Sequence, residues 1–547
     1  MSVGKGALWY KDAIFYELYI RAFYDSNSDG HGDLLGIIQK LDYFKELGVD
    51  CIWLLPMYPS PLKDDGYDIA DYYGIHPDYG TVEDFEQLVQ EAHTRGLRVI
   101  ADLAINHTSD QHPWFIESRS SRDNPRRDWY VWSDTDDRYS NARIIFIDTE
   151  HSNWEFDART RQFYWHRFYA SQPDLNYDNP EVRQAMKEVM AFWLDRGIDG
   201  FRVDAVPYLF EREGTDCENL PETHAYIREL RQFMNKRWPN AIMLAEANQP
   251  LQKLLDYFGT GNEFHMALHF PLMPPIFTAL KTGHGGPIRQ AIEETHLIPE
   301  SCQWGTFLRN HDELTLEMVS EEQRQWFWEA YAPDPRMRLN LGIRRRLAPL
   351  LDNNPRKILL ANAILFSLPG TPIIYYGDEI GMGDNIDLPD RMGVRTPMQW
   401  DDTPNAGFSG APSEALYAPV IDNAIYGYRR LNVSAQQAHS GSLYRRMQRL
   451  IQVRKQHRAF SRGSIRFVEA GNPAVIAFLR IHRDESFLIL HNLTEEDQEA
   501  MVDDMALLER RGIEVLESQG HSVLRQRASL LRTMLAPYQS LWLWLMD

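Results

Sequence analysis

At 547 residues, 44% apolar and 25% charged, the chain has the composition of a globular protein and is too long for one ordinary core, so two or three domains are expected. Its net charge of −21 argues against nucleic acid and anionic membranes as partners and leaves neutral substrates or cations. Three scattered cysteines, Cys51, Cys217 and Cys302, exclude a disulfide framework and fit a reducing, cytoplasmic compartment. The first twelve residues lack an apolar stretch behind a basic start, so no secretory signal is expected. The longest apolar run, near Ile358–Leu368, is broken by Asn362 and too short to span a bilayer.

Ile14–Ile20 reads as a first strand. It opens onto Asp25-Ser26-Asn27-Ser28-Asp29-Gly30-His31-Gly32-Asp33, where acids and amides alternate and Gly follows the third. Oxygen ligands at every second position can wrap a hard cation, although no Glu stands at the twelfth position of a full calcium loop. A solvated acidic turn is the plainer reading. Leu34–Leu47 has helical period and stops at Gly48; Val49–Leu55 is a buried strand with the exit loop Asp64-Asp65-Gly66-Tyr67-Asp68. Glu83–Arg95 is a helix and Leu97–Leu103 a third strand, a rhythm that predicts a parallel α/β barrel.

From Asn106 to Asp174 the rhythm breaks, and a lid domain inserted over 107–174 is expected. It then resumes with helix Pro180–Arg196, strand Gly200–Asp204, helix Glu222–Trp238 and strand Ile242–Glu246. Phe264–Phe270 and Trp304–Leu308 follow as the sixth and seventh strands. Glu321–Asp352 reads as a largely helical insertion, spanning about 320–355, whose run Arg336, Arg338, Arg344, Arg345 and Arg346 is expected to be a solvated or salt-bridged face. Lys357–Leu368 is helical and Thr371–Tyr376 the eighth strand. Beyond a helix at Ser442–Arg458, Val475–Leu479 and Phe487–Leu493 form a hairpin and Leu541–Leu545 a final strand. The expected domains are a (β/α)8 barrel from 1–106 and 175–458 and an antiparallel β-sandwich at 459–547.

Four of the strands end in chemistry. Gly200-Phe201-Arg202-Val203-Asp204 places Arg202 and Asp204 on one face by two-residue alternation, and the cation is expected to lower the pKa of the acid. Val99–Leu103 runs into Asn106-His107, Ile242–Ala245 into Glu246 and Asn248, and Thr306–Asn310 into His311-Asp312-Glu313. In a closed parallel barrel these ends share one face, where active sites lie.

In their order, Asp102–His107, Gly200–Asp204, Glu246 with its strand and Asn310–Asp312 resemble the four signature regions of the α-amylase superfamily of glycoside-active enzymes. Within it, Phe307–Glu317, Ala245–Gln249, Tyr331–Met337 and Arg344–Arg346 are most similar to its trehalose-synthase branch, the maltose α-D-glucosyltransferases. Pro250 departs from that pattern, where an aromatic would follow Gln249. The resemblance implies interconversion of maltose and trehalose by a retaining double displacement, with a minor hydrolytic leak. Asp204 is the expected nucleophile, Glu246 the acid/base, and Asp312 the acid that holds sugar hydroxyls.

Asp64, Tyr67, His107, Gln172, Arg202, Asn248, His311, Glu313 and Arg395 are the expected substrate contacts. A structural calcium is implied at Asn106, Asp174 and Glu211 with the carbonyls of Tyr208 and Leu209. A second divalent cation, calcium or magnesium, is implied at Asp25, Asn27, Asp29, His31 and Asp33. No organic cofactor is expected, the partner is a small disaccharide, and a homo-oligomer is left open. The alternative reading is an α-glucosidase using the same residues. A catalytically dead binding subunit is disfavoured because all three acids are present.

Overall fold

Eight short parallel strands close into a barrel in sequential order. They are β1 (Phe15–Leu18), β2 (Cys51–Leu54), β3 (Arg98–Ala104), β4 (Gly200–Asp204), β5 (Ile242–Ala245), β6 (Met266–Leu268), β7 (Gln303–Thr306) and β8 (Thr371–Tyr375), with β8 pairing back to β1. The computed structural model describes residues 8–295, 297–504, 512–518, 524–527 and 529–546. The strands are apolar runs because both of their faces are covered, by the barrel interior and by the surrounding helices. Gly200 starts β4 at φ 147°, and a Cβ there would lie 2.2 Å from the Ile242 carbonyl oxygen, so glycine is required where β4 meets β5.

Most sequence expectations hold within a residue or two. Three differ. The single helix expected over Leu34–Leu47 is two, Leu34–Gln39 and Leu41–Leu47, broken at Lys40, whose ammonium sits over the rings of Tyr24 and Trp400. The insertion is helical only over Glu321–Tyr331 and Leu347–Leu350. Between them Arg338–Leu339 and Gly342–Ile343 form a hairpin, and Gly342–Ile343 also pairs with Leu314–Thr315. Its arginines Arg336 and Arg346 are salt-bridged, as one of the two expectations had it, but do not share one face: Arg336 is exposed on Asp334 and Asp387, whereas Arg346 is fully buried beside Asp378.

The inserted lid carries a helix, Pro113–Ser118, and a three-stranded antiparallel sheet of Trp132–Ser133, Gln162–Trp165 and Trp154–Asp157. Its small core gathers Val131, Tyr139, Trp154, Trp165 and Cys217. Bridges from His107 to Asp174 and from Tyr130 to Leu175 hold the lid's two ends together on the barrel rim.

The C-terminal domain is a sandwich of a five-stranded and a three-stranded antiparallel sheet. Two-residue alternation divides its strands between two cores. Ala477, Leu479, Leu488, Leu490, Leu541 and Leu543 fill the sandwich, while Ile476, Phe478, Phe487, Ile489 and Trp542 pack on the barrel's helices. Two buried guanidinium groups clamp this junction. Arg480 donates to the carbonyls of Ser367 (2.6 Å), Phe460 (2.8 Å) and Gly463 (3.1 Å); Arg454 donates to those of Phe366, Leu368 and Gly370. Three of these carbonyls close the helix Pro355–Ser367, whose negative end favours a cation. Burial pulls Arg454 down to about 9 and Arg480 well below its ordinary value. Arg480→Met strands three buried carbonyls at about 1–3 kcal/mol each. The urea midpoint of the variant is expected to fall by the equivalent of about 3 kcal/mol; an unchanged midpoint would show that the clamp adds no stability.

Candidate active site

Arg202 stands inside the barrel, fully buried, and three carboxylates converge on it. It binds Asp102 at 2.5 Å from β3, Asp204 at 2.6 Å from the end of β4, and Glu246 at 2.7 Å just after β5. Asp102 also accepts from the Trp53 indole (3.1 Å) and the Tyr67 hydroxyl (3.0 Å). Ala205 turns sharply out of β4 at φ 54°, which leaves Asp204 at the barrel mouth within hydrogen-bonding reach of Glu246.

Three acids on one cation cannot all be ionised cheaply in a buried site. Burial raises Glu246 to about 8; Arg202 opposes the rise, and Asp204 and Asp312 add to it. Glu246 therefore holds a proton at neutral pH. Asp204 corrects the sequence expectation: burial outweighs the lowering by Arg202, and its net shift is upward. Arg202 lowers all three acids, and it binds Asp204 and Asp102 together through one nitrogen.

Asp312 is tuned the other way. Burial would raise it, but His311, Arg391 and Arg395 hold it well below the ordinary carboxylate range. Both arginines reach its Oδ1 at 3.0 Å, and His311 Nε2 lies 3.0 Å from Oδ2. Arg391 also bonds Asp64 at 2.6 Å, so it spans two acids of the cavity wall.

One cavity joins these groups. Of the predicted contacts, Asp64, Tyr67, His107, Asn248 and Glu313 line it, together with Asp204, Glu246 and Asp312. Four do not. Gln172 lies behind Asp64 and donates to it at 2.8 Å; Arg202 is spent on its three acids; His311 is covered by Tyr67 and Asp312; Arg395 bonds Asp65, Asp312 and the His311 carbonyl. These four are supports, not cavity walls. His107 is pulled down to about 4 by burial, so its ring is neutral, and its Nε2 has no protein partner. Glu313 is raised to about 7, by burial first.

Sequence reading missed the apolar cover, Ile145, Phe146, Phe168 and Phe270, and missed Arg391. Arg391 lies in a loop with no periodic pattern, and only the adjacent Asp390 marks it. The lid is latched across this cover. Arg143 bonds Glu218 (2.9 Å), Glu317 (3.4 Å) and the Tyr208 hydroxyl (3.3 Å), and Asn248 donates to Glu317 and Thr315 at 3.0 Å each. The loops after β4, β5 and β7 thus meet the lid over the acids. Pro250, the departure from the expected pattern, caps the short helix Leu251–Asp256 beside this latch.

The two implied cation sites differ. Asn106 Oδ1, Asp174 Oδ2 and Glu211 Oε1 are buried without partners, and burial drives Asp174 to about 8 and Glu211 well above its usual value. Orphaned oxygens of this kind fit a hard cation, which would restore both charges. In the Asp25–Asp33 loop the oxygens are already engaged. Asp25 accepts from the amides of Asn27, Ser28 and Gly30, Asn27 from that of Asp29, and Asp29 from that of His31; Asp33 caps the helix at Leu34. The His31 ring accepts from Arg21. The donor types there suit a cation, but no buried oxygen lacks a partner. Among the described residues no three His, Cys, Asp or Glu side chains form a ready metal cluster.

A parallel barrel with a proton-bearing Glu, a partnered Asp and a strongly ionised third acid around one cavity has the geometry of glycoside-bond chemistry. The alpha-amylase catalytic-domain family model matches residues 17–463, and the C-terminal domain of maltogenic amylase matches 465–542. The chain belongs to the α-amylase family. It is 58% identical over 476 residues to a trehalose synthase/amylase TreS of Mycolicibacterium smegmatis, covering 86% of this chain and 80% of that one. It is 52% identical to a trehalose synthase of Pimelobacter sp., covering 92% and 90%. The trehalulose synthase MutB of Pseudomonas mesoacidophila MX-45 superposes with a TM-score of 0.79 at 30% identity, covering 98% and 100%.

Glu246 titrates highest of the cavity's acids, above Glu313 at about 7. Difference infrared spectra between wild type and Glu246→Gln are expected to show a protonated carboxyl at pH 7 that is lost as pH rises through about 8. A carboxyl already ionised at pH 7 would contradict this electrostatic reading.

Proposed function

We propose that the protein interconverts maltose and trehalose by intramolecular glucosyl transfer. The observation that carries this reading is the latched cavity. Its acids share one cavity with an apolar wall of Ile145, Phe146, Phe168 and Phe270, and the Arg143–Glu317–Asn248 network ties the lid to the loops beside it. A hydrolase admits water to its intermediate; an isomerase must exclude it while the leaving sugar turns. The names of the similar proteins from Mycolicibacterium smegmatis and Pimelobacter point the same way.

In the proposed cycle, Asp204 attacks C1 of the non-reducing glucose. The C1–O bond to the reducing glucose breaks, and Glu246 gives its proton to that oxygen. A β-glucosyl ester on Asp204 and a free glucose share the cavity. The glucose turns and attacks C1 through its own anomeric hydroxyl, returning a proton to Glu246 as the ester bond breaks. Two inversions leave an α,α-linkage. Asp312, ionised, accepts from sugar hydroxyls and favours the positive charge that develops at C1, and Asp64 with Arg391 bounds the same pocket. The neutral His107 is the further candidate donor to a hydroxyl. Asn248 and Glu313 face the space left for the turning glucose.

A structural calcium on Asn106, Asp174, Glu211 and the carbonyls of Tyr208 and Leu209 is part of the proposal, supported by the orphaned oxygens there. When bound, it supplies the positive charge that keeps Asp174 and Glu211 ionised. The second cation, at Asp25–Asp33, is supported by donor chemistry alone. A reducing, cytoplasmic setting is supported by three buried, unpaired cysteines. Among the described residues no helix is long and apolar enough to cross a membrane.

Incubation with maltose alone, resolving trehalose, maltose and glucose over time, is expected to yield more trehalose than glucose. Glucose alone would reassign the protein as an α-glucosidase. Asp204→Asn is expected to lower kcat for either product by about a thousandfold or more. Elemental analysis of purified protein is expected to find calcium, and its removal with a chelator to lower Tm; a metal-free protein with unchanged Tm would remove calcium from the account.

A further inference from the structure

The cycle above leaves one buried acid of the barrel interior without a role. Glu17 lies in β1, where Tyr16 turns outward to Glu379 and Phe44 and two-residue alternation turns Glu17 inward. It is fully buried. Its Oε1 accepts both the backbone N–H of His311, at 3.1 Å, and the ring Nδ1–H of the same residue; its Oε2 has no protein partner. On the far side of the ring, Nε2 lies 3.0 Å from Asp312 Oδ2 and 2.7 Å from the Tyr67 hydroxyl. The ring stacks on Tyr67 with centroids 5.6 Å apart and planes 13° apart, and Trp53 meets it edge-on at 6.1 Å.

Nδ1 therefore faces the Glu17 carboxylate, and Nε2 faces the Asp312 carboxylate and the Tyr67 hydroxyl, whose one proton goes to Asp102, so every partner of the ring accepts. A neutral imidazole has one N–H and would leave one carboxylate against a lone pair. An imidazolium satisfies both. We infer that Glu17 is a positioning residue of the glucosyl-transfer site: it locks His311 as an imidazolium whose second N–H holds Asp312 in place at the sugar pocket. The inference rests on the proposed reading of the site and adds a residue to it.

The other charged and titratable groups around His311 agree. Asp102, reached through Tyr67, is a further anion nearby, and the cation bonded to His311 among the described residues, Arg395, reaches its carbonyl and not the ring. Burial opposes the imidazolium, yet Asp312 and Glu17 together raise His311 to about 9. A carboxylate that orients a metal-ligating histidine commonly carries ten- to hundredfold effects, and the same scale is taken for Glu17. Asp312 retains Arg391 and Arg395 when the histidine loses its charge, so loss of Glu17 weakens Asp312 without abolishing the site.

The test is Glu17→Gln, which keeps an oxygen to accept both bonds and removes the charge. In histidine-labelled protein, with the His311 signal assigned by its loss in His311→Asn, nitrogen NMR is expected to show wild-type His311 doubly protonated to about pH 9. In Glu17→Gln it is expected to lose its second proton at least about one unit lower, and kcat on maltose to fall by about ten- to a hundredfold with KM nearly unchanged. Glu17→Asp, which keeps the charge, is expected to restore part of kcat. A wild-type His311 singly protonated at pH 7 would overturn the inference without any variant. So would a Glu17→Gln protein whose His311 titration and kcat match wild type. If wild type converts no maltose, the reading of the reaction fails, while the titration still decides the role of Glu17.

Discussion

The site depends on one buried guanidinium shared by three carboxylates. Arg202 could not sit inside a closed barrel unpaired, and Asp102, Asp204 and Glu246 could not sit within reach of one another without it. The charge count follows from that constraint. One cation does not neutralise three anions, so a proton stays in the cluster, and Glu246 is the acid pushed furthest toward holding it. A short distance away, Asp312 has three cationic partners and is driven the opposite way. The two carboxyls are thus separated by how many cations each touches, one for Glu246 and three for Asp312, on strand ends of one barrel.

A second constraint is enclosure. The lid's core and its latch are built from side chains that have no part in the acid cluster: Arg143 ties Glu218, Glu317 and Tyr208, and Asn248 ties the β5 loop to the β7 loop. The apolar residues beside it contribute shape. In a protein interior each charge interacts more strongly than it would in water, and burial is the largest cause of the upward shift of Glu246.

Much of the architecture was legible in the sequence because both halves of the βα rhythm carry strong signals: apolar runs for strands covered on both faces, and Gly stops at Gly48, Gly96 and Gly197 for helices. Asp204, Glu246 and Asp312 were legible because an acid ending an apolar strand is conspicuous. What was not legible depends on contacts between segments far apart in the chain. Arg391 reaches Asp64 across 327 positions, and Glu17 reaches His311 across 294. Neither has a local pattern: Glu17 is one polar residue in an apolar strand, and Arg391 lies in a loop. Gln172 was assigned to the substrate from its neighbourhood, whereas its amide is consumed by Asp64 and the Tyr169 backbone. The expected lowering of Asp204 failed for a similar reason, since sequence shows the cation but not the depth of burial.

The claim at the centre of this account is that glucose released in the first step never leaves the cavity. It is tested most directly by converting unlabelled maltose in the presence of excess carbon-13 glucose and reading the label in the trehalose formed. Enclosed transfer predicts trehalose free of label at early times, whatever the concentration of free glucose. Trehalose labelled in proportion to the free pool would contradict it, and would make the cavity an open transglucosylation site.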